Sequence, residues 1–280
     1  MLLTTLEMTQ RLEEADVIHL TRQVEACSQM FPDQEIVTKP VGHGIAAVTL
    51  PSFGRKLNHI AGFGMAGPVS NEEFSVVENL HSKMGIKTEI DLCPFVDASA
   101  LQILASRGYA VNSWINSYVR IIAEGDVYDG EYSGIKISRM TPERLDEFST
   151  ISLAGFRDNG RPEFLLETLA HIAASRADTL LYIATVDGTF AGSAGLALIE
   201  TSKGRVAHLY IDSTLPEYRG RGIQAALIRA RLSDAWRAGF DLASAGTRPA
   251  NVSSRNIERA GFSLAYTKTT FVGGEGTKEN

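Results

Sequence analysis

Cysteine is nearly absent from this 280-residue chain: Cys27 and Cys93 are the only two. They are too few and too far apart for a disulfide framework or a thiolate zinc site, and each reads as a small buried hydrophobe. A reduced, cytoplasmic setting is the corresponding expectation. No apolar run is long enough to cross a bilayer, which excludes a helical membrane span. The first residues, Met1-Leu2-Leu3-Thr4-Thr5-Leu6-Glu7, have no basic stretch and meet an acid at once, so no signal peptide is expected. There is no excess of positive charge either. The net charge is −6, which argues against a general nucleic-acid binder, although Arg219, Arg221, Arg229 and Arg231 form one local basic patch. What remains is ordinary: 44% apolar and 21% charged residues, the composition of a folded protein with a packed core.

The pattern along the chain alternates between helical and strand periods. Leu12, Ala15, Val17, Ile18 and Val24 have helical spacing, predicting one or two helices within 6–30. Strands are expected at 44–50 and 58–66, then a helix over 72–84 capped by Ser70 or Asn71. A strand at 87–92, a helix at 97–106 and a long strand at 109–122 come next. The segment 123–134 holds Gly125, Gly130 and Gly134 among acids and is the best linker. Beyond it come a helix from Pro142, a helix at 161–174, and strands at 180–186 and 190–200 joined by the turn Asp187-Gly188. After these stand a strand at 206–214, a helix at 223–238 stopped by Gly239, a strand at 240–245, a short helix at 253–260 and a last strand at 262–272. Trp114, Tyr118, Trp236 and Phe240 are expected to pack in the core.

Each half closes in the same way: a strand, a helix, a Gly-aromatic pair (Gly108-Tyr109, Gly261-Phe262) and a long strand. Two similar α/β domains and mere coincidence of common units explain this pattern about equally well. The domain reading divides the chain into 1–123, 134–272 and a frayed tail at 273–280.

The segment 210–228 carries the strongest chemical signal. A strand runs into Thr214-Leu215-Pro216-Glu217-Tyr218, then Arg219-Gly220-Arg221-Gly222, then an amphipathic helix from Ile223. A helix start behind a Gly-rich loop offers unpaired N–H groups and the positive end of the helix dipole, which suits a phosphate. The Walker A pattern fails, because Ile223-Gln224 follows Gly222. A dinucleotide loop is a weaker fit. Asp241 stands about 20 residues on, but the preceding strand belongs to a hairpin series and not to a βαβ unit.

Arg219-Gly220-Arg221-Gly222-Ile223-Gln224-Ala225, with its flanking strands and helices, resembles motif A of the GNAT superfamily of N-acetyltransferases, [Q/R]-x-x-G-x-[G/A]. The resemblance covers roughly 134–272 and implies an α/β fold with a mixed sheet, the acyl-CoA N-acyltransferase fold, in two tandem copies. It implies acetyl-CoA as co-substrate, with Arg219, Gly220, Arg221, Gly222, Ile223, Gln224 and Ala225 facing the pyrophosphate. Ser213 and Thr214 would offer backbone contacts to the pantetheine. Ser253, also a good helix N-cap, and Asn256 would meet the CoA arm. No metal is implied. Gln224 departs from the motif's last position, so its side chain must point away from the phosphates or the loop must shift slightly. Many members carry a Tyr as general acid four residues before the Gly of Gly-Phe; here that position is Ile257, which cannot donate a proton. Glu200, His208, Asp212 and Glu217 are the nearby candidates for a base, Asp212 the best placed, and the catalytic residues stay unassigned. In the N-terminal half, Pro68-Val69-Ser70-Asn71-Glu72-Glu73 stands where the loop would be, with two acids and no Gly pair, so this half would be a copy without a CoA site.

The resulting expectation is an acetyltransferase acting on an amine of a small molecule or a protein, with no nucleic-acid or membrane partner. A non-catalytic acyl-CoA sensor or interaction protein is the alternative, and a dinucleotide-dependent oxidoreductase a third.

Overall fold

A computed structural model describes residues 4–127, 132, 134–141, 144–157 and 160–273. The chain divides into two compact units. One takes in 118–264; the other joins 2–117 to 265–280. These divisions fall at 117/118 and 264/265, whereas the sequence pointed to 123–134, part of which lies outside the described residues. The tail beyond Gly273 also lies outside them, as does Pro142.

The N-terminal unit begins with α1 (Leu6–Met30), whose first turn is capped by Thr5. Leu12, Ala15, Leu20, Val24 and Cys27 line its buried face at helical spacing. Next come β1 (Val37–Val41), β2 (Gly44–Val48), the short β3 (Ile60–Ala61), α2 (Asn71–Lys83), β4 (Glu89–Leu92), α3 (Ala98–Ser106) and the start of β5 (Ala110–Ile121). The strand expected over 58–66 shrinks to β3, because Gly62 and Gly64 take positive φ of 72° and 76° and turn the chain out of the sheet. Strand β1, missed in the sequence, pairs antiparallel with β2 despite Pro40, as an edge position allows. The strand order is β1-β2-β3-β4-β11-β5, with β11 (Ser263–Val272) the last strand of the chain. Ser70 caps α2 as expected. Both cysteines are buried and free, and burial pushes the Cys27 thiol up to about 11 and that of Cys93 to about 12.

The C-terminal part of β11 binds this unit through charge. Tyr266, Lys268 and Thr270 share one strand face. The Lys268 Nζ donates to Asp16 (2.6 Å) and pairs with Glu13 (2.8 Å), which also accepts from the Tyr266 hydroxyl at 2.6 Å. Thr270 donates to Asp91 at 2.9 Å, and Arg55 holds both oxygens of that carboxylate. Burial alone would raise Asp91, but His59 and Arg55 outweigh it and keep the carboxyl at about 2. Burial lowers His59 to about 4, with Asp91 opposing only in part.

The C-terminal unit contains β6 (Ile135–Arg139), α4 (Leu145–Phe156), α5 (Glu163–Ser175), β7 (Thr179–Val186), β8 (Thr189–Thr201), β9 (Gly204–Thr214), α6 (Ile223–Arg237), β10 (Leu242–Thr247) and α7 (Val252–Arg259). Its strand order is β5-β10-β9-β8-β7-β6. Asp187 and Gly188, with φ of 50° and 77°, make the tight β7–β8 turn that their residue types predict. The α6 face Ile223, Ala226, Leu227, Ala230 and Ala235 packs with Ala194, Leu196, Ala207, Leu209 and Ala243 of the sheet. Tyr118 and Phe240 are buried, but Trp114 is 53% and Trp236 36% exposed, contrary to the expectation that both lie in the core. No helix among the described residues is long and apolar enough to cross a membrane.

Lys268 is 4% exposed and its partner Glu13 2%. Removing one member of such a pair strands the other in a dry interior. Lys268→Met should therefore lower stability to urea by about 3–5 kcal/mol, and adding Glu13→Gln should recover part of the loss. An unchanged denaturation midpoint would contradict the packing described.

Candidate functional site

The site starts where β9 leaves β10. The two strands are parallel neighbours over four pairs, from Leu242↔Val206 to Ala245↔Leu209. Beyond Leu209, β9 runs on through Tyr210, Ile211, Asp212, Ser213 and Thr214 with no ladder partner in β10. On its other side β9 pairs with β8, but the register shifts between Ser193 and Gly195. Ile211 sits in that bulge with φ of +52°, a left-handed conformation that costs a β-branched residue on the order of 1–3 kcal/mol.

Two glycines in other elements make room for the freed strand end. A Cβ on Gly192 of β8 would lie 2.6 Å from the Ser213 carbonyl oxygen and 2.9 Å from Ile223. A Cβ on Gly155 of α4 would lie 2.6 Å from the Ser213 side chain. The Ser213 hydroxyl is buried against that of Ser193, 2.8 Å away.

After β9, Pro216–Tyr218 forms one 3-10 turn. Gly220 and Gly222 take φ of 77° and 86°, and Gly222 is the N-cap of α6, with no side chain capping the helix. A left-handed N-cap explains why glycine stands there, and the absence of a capping side chain leaves the first N–H groups of α6 for a ligand. Arg219 donates to the Gly155 carbonyl at 3.3 Å, tying the loop to α4. Arg221 stacks on the Tyr218 ring, 5.3 Å from its centroid.

Gln224 has a definite task. Its amide nitrogen donates to the Ser253 hydroxyl (2.9 Å), and its oxygen accepts from the Asn256 amide (2.8 Å). The side chain thus joins α6 to α7. Ser253 is not the cap of α7, as the sequence suggested. Asn251 caps it, accepting from the Ser254 N–H at 2.7 Å, and Ser253 is thereby free to meet Gln224.

These elements enclose a groove of about 1340 Å³. Ser213, Thr214, Arg219, Gly220, Gly222, Ile223, Gln224, Ala225, Ser253 and Asn256 line it; Arg221 does not. Arg229 of the basic patch and Arg259 of α7 line it as well, and so does Arg120, which sequence reasoning missed. Arg120 pairs with Asp126, and Arg229 stacks 4.1 Å from the Tyr132 ring centroid. Arg120, on β5, carries no sequence signal for this groove.

Of the acids and bases suggested by sequence proximity, Asp212 and Glu200 are each paired with an arginine. Asp212 lines the groove, but both its oxygens accept from Arg231, which is wholly buried. His208 Nδ1 is 2.9 Å from the Ser244 hydroxyl, and the ring stacks with Tyr210. Glu200 pairs with Arg205 at 3.3 Å on the surface. Glu217 is exposed on the 3-10 turn. Ile257 is 5% exposed and belongs to the core. Burial raises the Tyr210 phenol to about 12, and its hydroxyl is 2.9 Å from that of Thr179.

Residues 143–262 match the family model described as the acetyltransferase (GNAT) family. This segment is a GNAT domain. The chain is similar in fold to a GCN5-related N-acetyltransferase from Kribbella flavida, at 14% identity and a TM-score of 0.66, over 95% of this chain and 96% of that one. A GCN5-related N-acetyltransferase from Sphaerobacter thermophilus aligns at 17% identity, TM-score 0.57, over 81% of this chain and 75% of that one. A tandem GNAT protein from the clavulanic acid biosynthesis pathway aligns at 14% identity, TM-score 0.55, over 72% and 68%. At these identities the likeness is one of fold. No curated protein sequence matches this one significantly.

The N-terminal unit repeats the order strand, loop, helix, parallel strand, helix, with β3 beside β4. Its loop after β3 is tied to α3. Gly64 accepts from the Asp97 N–H at 2.9 Å, and the Val69 N–H donates to Ser99 at 3.0 Å, which stitches the loop to α3. Phe63, Val69, Val96 and Ala100 pack between them. In the GNAT domain the Gln224 side chain bridges α6 to α7 beside the groove.

Gln224→Ala places there a residue that the GNAT motif favours, and it removes both bonds to α7. Chemical denaturation should show a loss of about 1–3 kcal/mol. Unaltered stability would mean that the bridge does not hold α7 in place.

Proposed function

We propose that the C-terminal unit binds acetyl-CoA and that the protein transfers its acetyl group to an amine of a small molecule or a protein. The observation that carries this reading is the uncapped start of α6, opening through Gly220 and Gly222 into the same groove as the unpaired end of β9. Backbone N–H groups at Gly222, Ile223, Gln224 and Ala225 suit the pyrophosphate, with the helix dipole adding to the attraction. The free edge of β9 at Ser213 and Thr214 suits the amides of a pantetheine arm, which would add to it like a strand. Ser253 and Asn256, held by Gln224, flank that path.

Transfer requires the amine nitrogen to attack the thioester carbonyl. The new N–C bond forms, the C–S bond breaks, CoA leaves as the thiolate, and the nitrogen releases a proton. Fixing the thioester in the groove supplies orientation, and backbone donors near the carbonyl stabilise the oxyanion. With Ile257 in the core, no side chain at that position protonates the thiolate. We propose further that the N-terminal unit is a copy of the fold that lacks a CoA site, its loop space being packed with Phe63, Val69 and Val96.

A second reading, an acyl-CoA sensor without turnover, draws on Ile257 and on the neutralisation of Asp212 by Arg231. A dinucleotide oxidoreductase is disfavoured, because β9 follows the antiparallel strands β7 and β8.

Acetyl-CoA and CoA should each raise the melting temperature, and NAD should not. Gly222→Glu puts a side chain on a left-handed residue and a carboxylate at the phosphate seat; it should keep the far-UV spectrum and lose the stabilisation. Equal stabilisation of this variant would place the phosphates elsewhere, and none in the wild type would end the proposal. Release of CoA across a panel of amines then separates an enzyme from a sensor.

A further inference from the structure

Arg231 is the largest of the fully buried side chains among the described residues, and its contacts converge on one place. Its Nε donates to the Leu227 carbonyl one turn back in α6, at 3.0 Å. One terminal nitrogen donates to the Gly195 carbonyl (3.0 Å) and to an Asp212 oxygen (2.9 Å); the other takes the second Asp212 oxygen. Gly195 and Asp212 lie on opposite sides of the β8–β9 bulge. Between the pairs Ser193↔Ser213 and Gly195↔Tyr210, the residues Ile211 and Asp212 face Ala194 alone. They have no partner in β10 either, since that pairing stops at Leu209.

A bulge with a β-branched residue at φ of +52° does not persist through local preference; its surroundings must hold it. A planar guanidinium can grip both strands at once, as a lysine ammonium on its flexible stem does not. We infer that the Arg231–Asp212 pair, anchored on the Gly195 carbonyl, fixes the backbone of the bulge at 211–212 so that an N–H there meets the thioester carbonyl. Arg231 is then a positioning residue for acetyl transfer, and Asp212 is the counter-ion of the clamp and not a base. This inference rests on the acetyl-CoA reading. It explains why β9 is bent where it loses β10: a donor aimed in advance at the developing oxyanion costs no reorganisation during the reaction.

The test uses Asp212→Asn and Arg231→Lys in the full-length protein. Three quantities are measured: the Kd for acetyl-CoA, kcat and KM on the best amine, and the infrared carbonyl band of bound acetyl-CoA labelled with carbon-13 at the thioester carbonyl. In the wild type the band should shift to lower wavenumber than in solution. In both variants it should move back toward the free value, with kcat falling about 10–100-fold while the Kd changes less than about threefold, because the phosphate seat on α6 is unaltered. Asp212 is 21% exposed, so its variant carries the test if Arg231→Lys does not fold. A folded variant with an unmoved band would overturn the clamp, and so would equal losses in affinity and kcat with the wild-type band retained. Failure of the wild type to bind acetyl-CoA would instead sink the proposed function. A wild type that binds without turnover leaves the infrared band to decide.

Discussion

The parting of β9 from β10 is the constraint on which the rest of this chain depends. Four parallel pairs hold the strands together up to Leu209 and Ala245. Past that point β9 keeps β8 on one side and has an open edge on the other. An open edge presents unpaired N–H and C=O groups, a liability unless something of matching polarity lies along it. The surrounding sequence accommodates that edge. Gly192 and Gly155 let β8 and α4 approach the strand end. Gly220 and Gly222 bring the start of α6 to the same groove, and Arg231 ties β9 to β8 and α6 from beneath. A ligand with an anionic end and an amide-bearing arm meets both requirements at once, which is why the function proposed above names acetyl-CoA rather than a phosphate alone.

The N-terminal unit shows the alternative outcome of the same element order. Its β3 pairs with β4 at a single position. The loop after β3 is closed by Gly64, Asp97, Val69 and Ser99 and filled with apolar side chains. Its polar residues are invested elsewhere, in the buried network of Glu13, Lys268, Asp91 and Arg55. Lys268, with Tyr266 and Thr270, makes β11 part of this unit. The N-terminal half of the sequence is therefore not a complete folding unit, just as 118–264 draws Tyr118 to Ile121 from β5.

The features legible in the sequence are those set by local chemistry. Gly222 as a helix start, Asp187-Gly188 as a hairpin turn, Ser70 as a cap and the apolar spacing of α1 each come from backbone rules acting over a few residues. The features that were not legible depend on what arrives from elsewhere. Ser253 reads as a cap by residue type, but Asn251, two residues earlier, takes that place, and Gln224 from another helix claims the Ser253 hydroxyl. Trp114 has strand periodicity but stands on an exposed face. Asp212 has the right position for a base until Arg231, nineteen residues on, closes on it. The same holds for Arg120, which joins the groove through tertiary packing without any motif of its own.

Under the proposed function, the unpaired end of β9 and the uncapped start of α6 form one acetyl-CoA seat, and the N-terminal unit offers none. Amide hydrogen exchange with and without acetyl-CoA tests this most directly. Exchange should slow at 211–214 and 222–225, with 60–70 unaffected. Protection at 60–70, or protection nowhere, would contradict it.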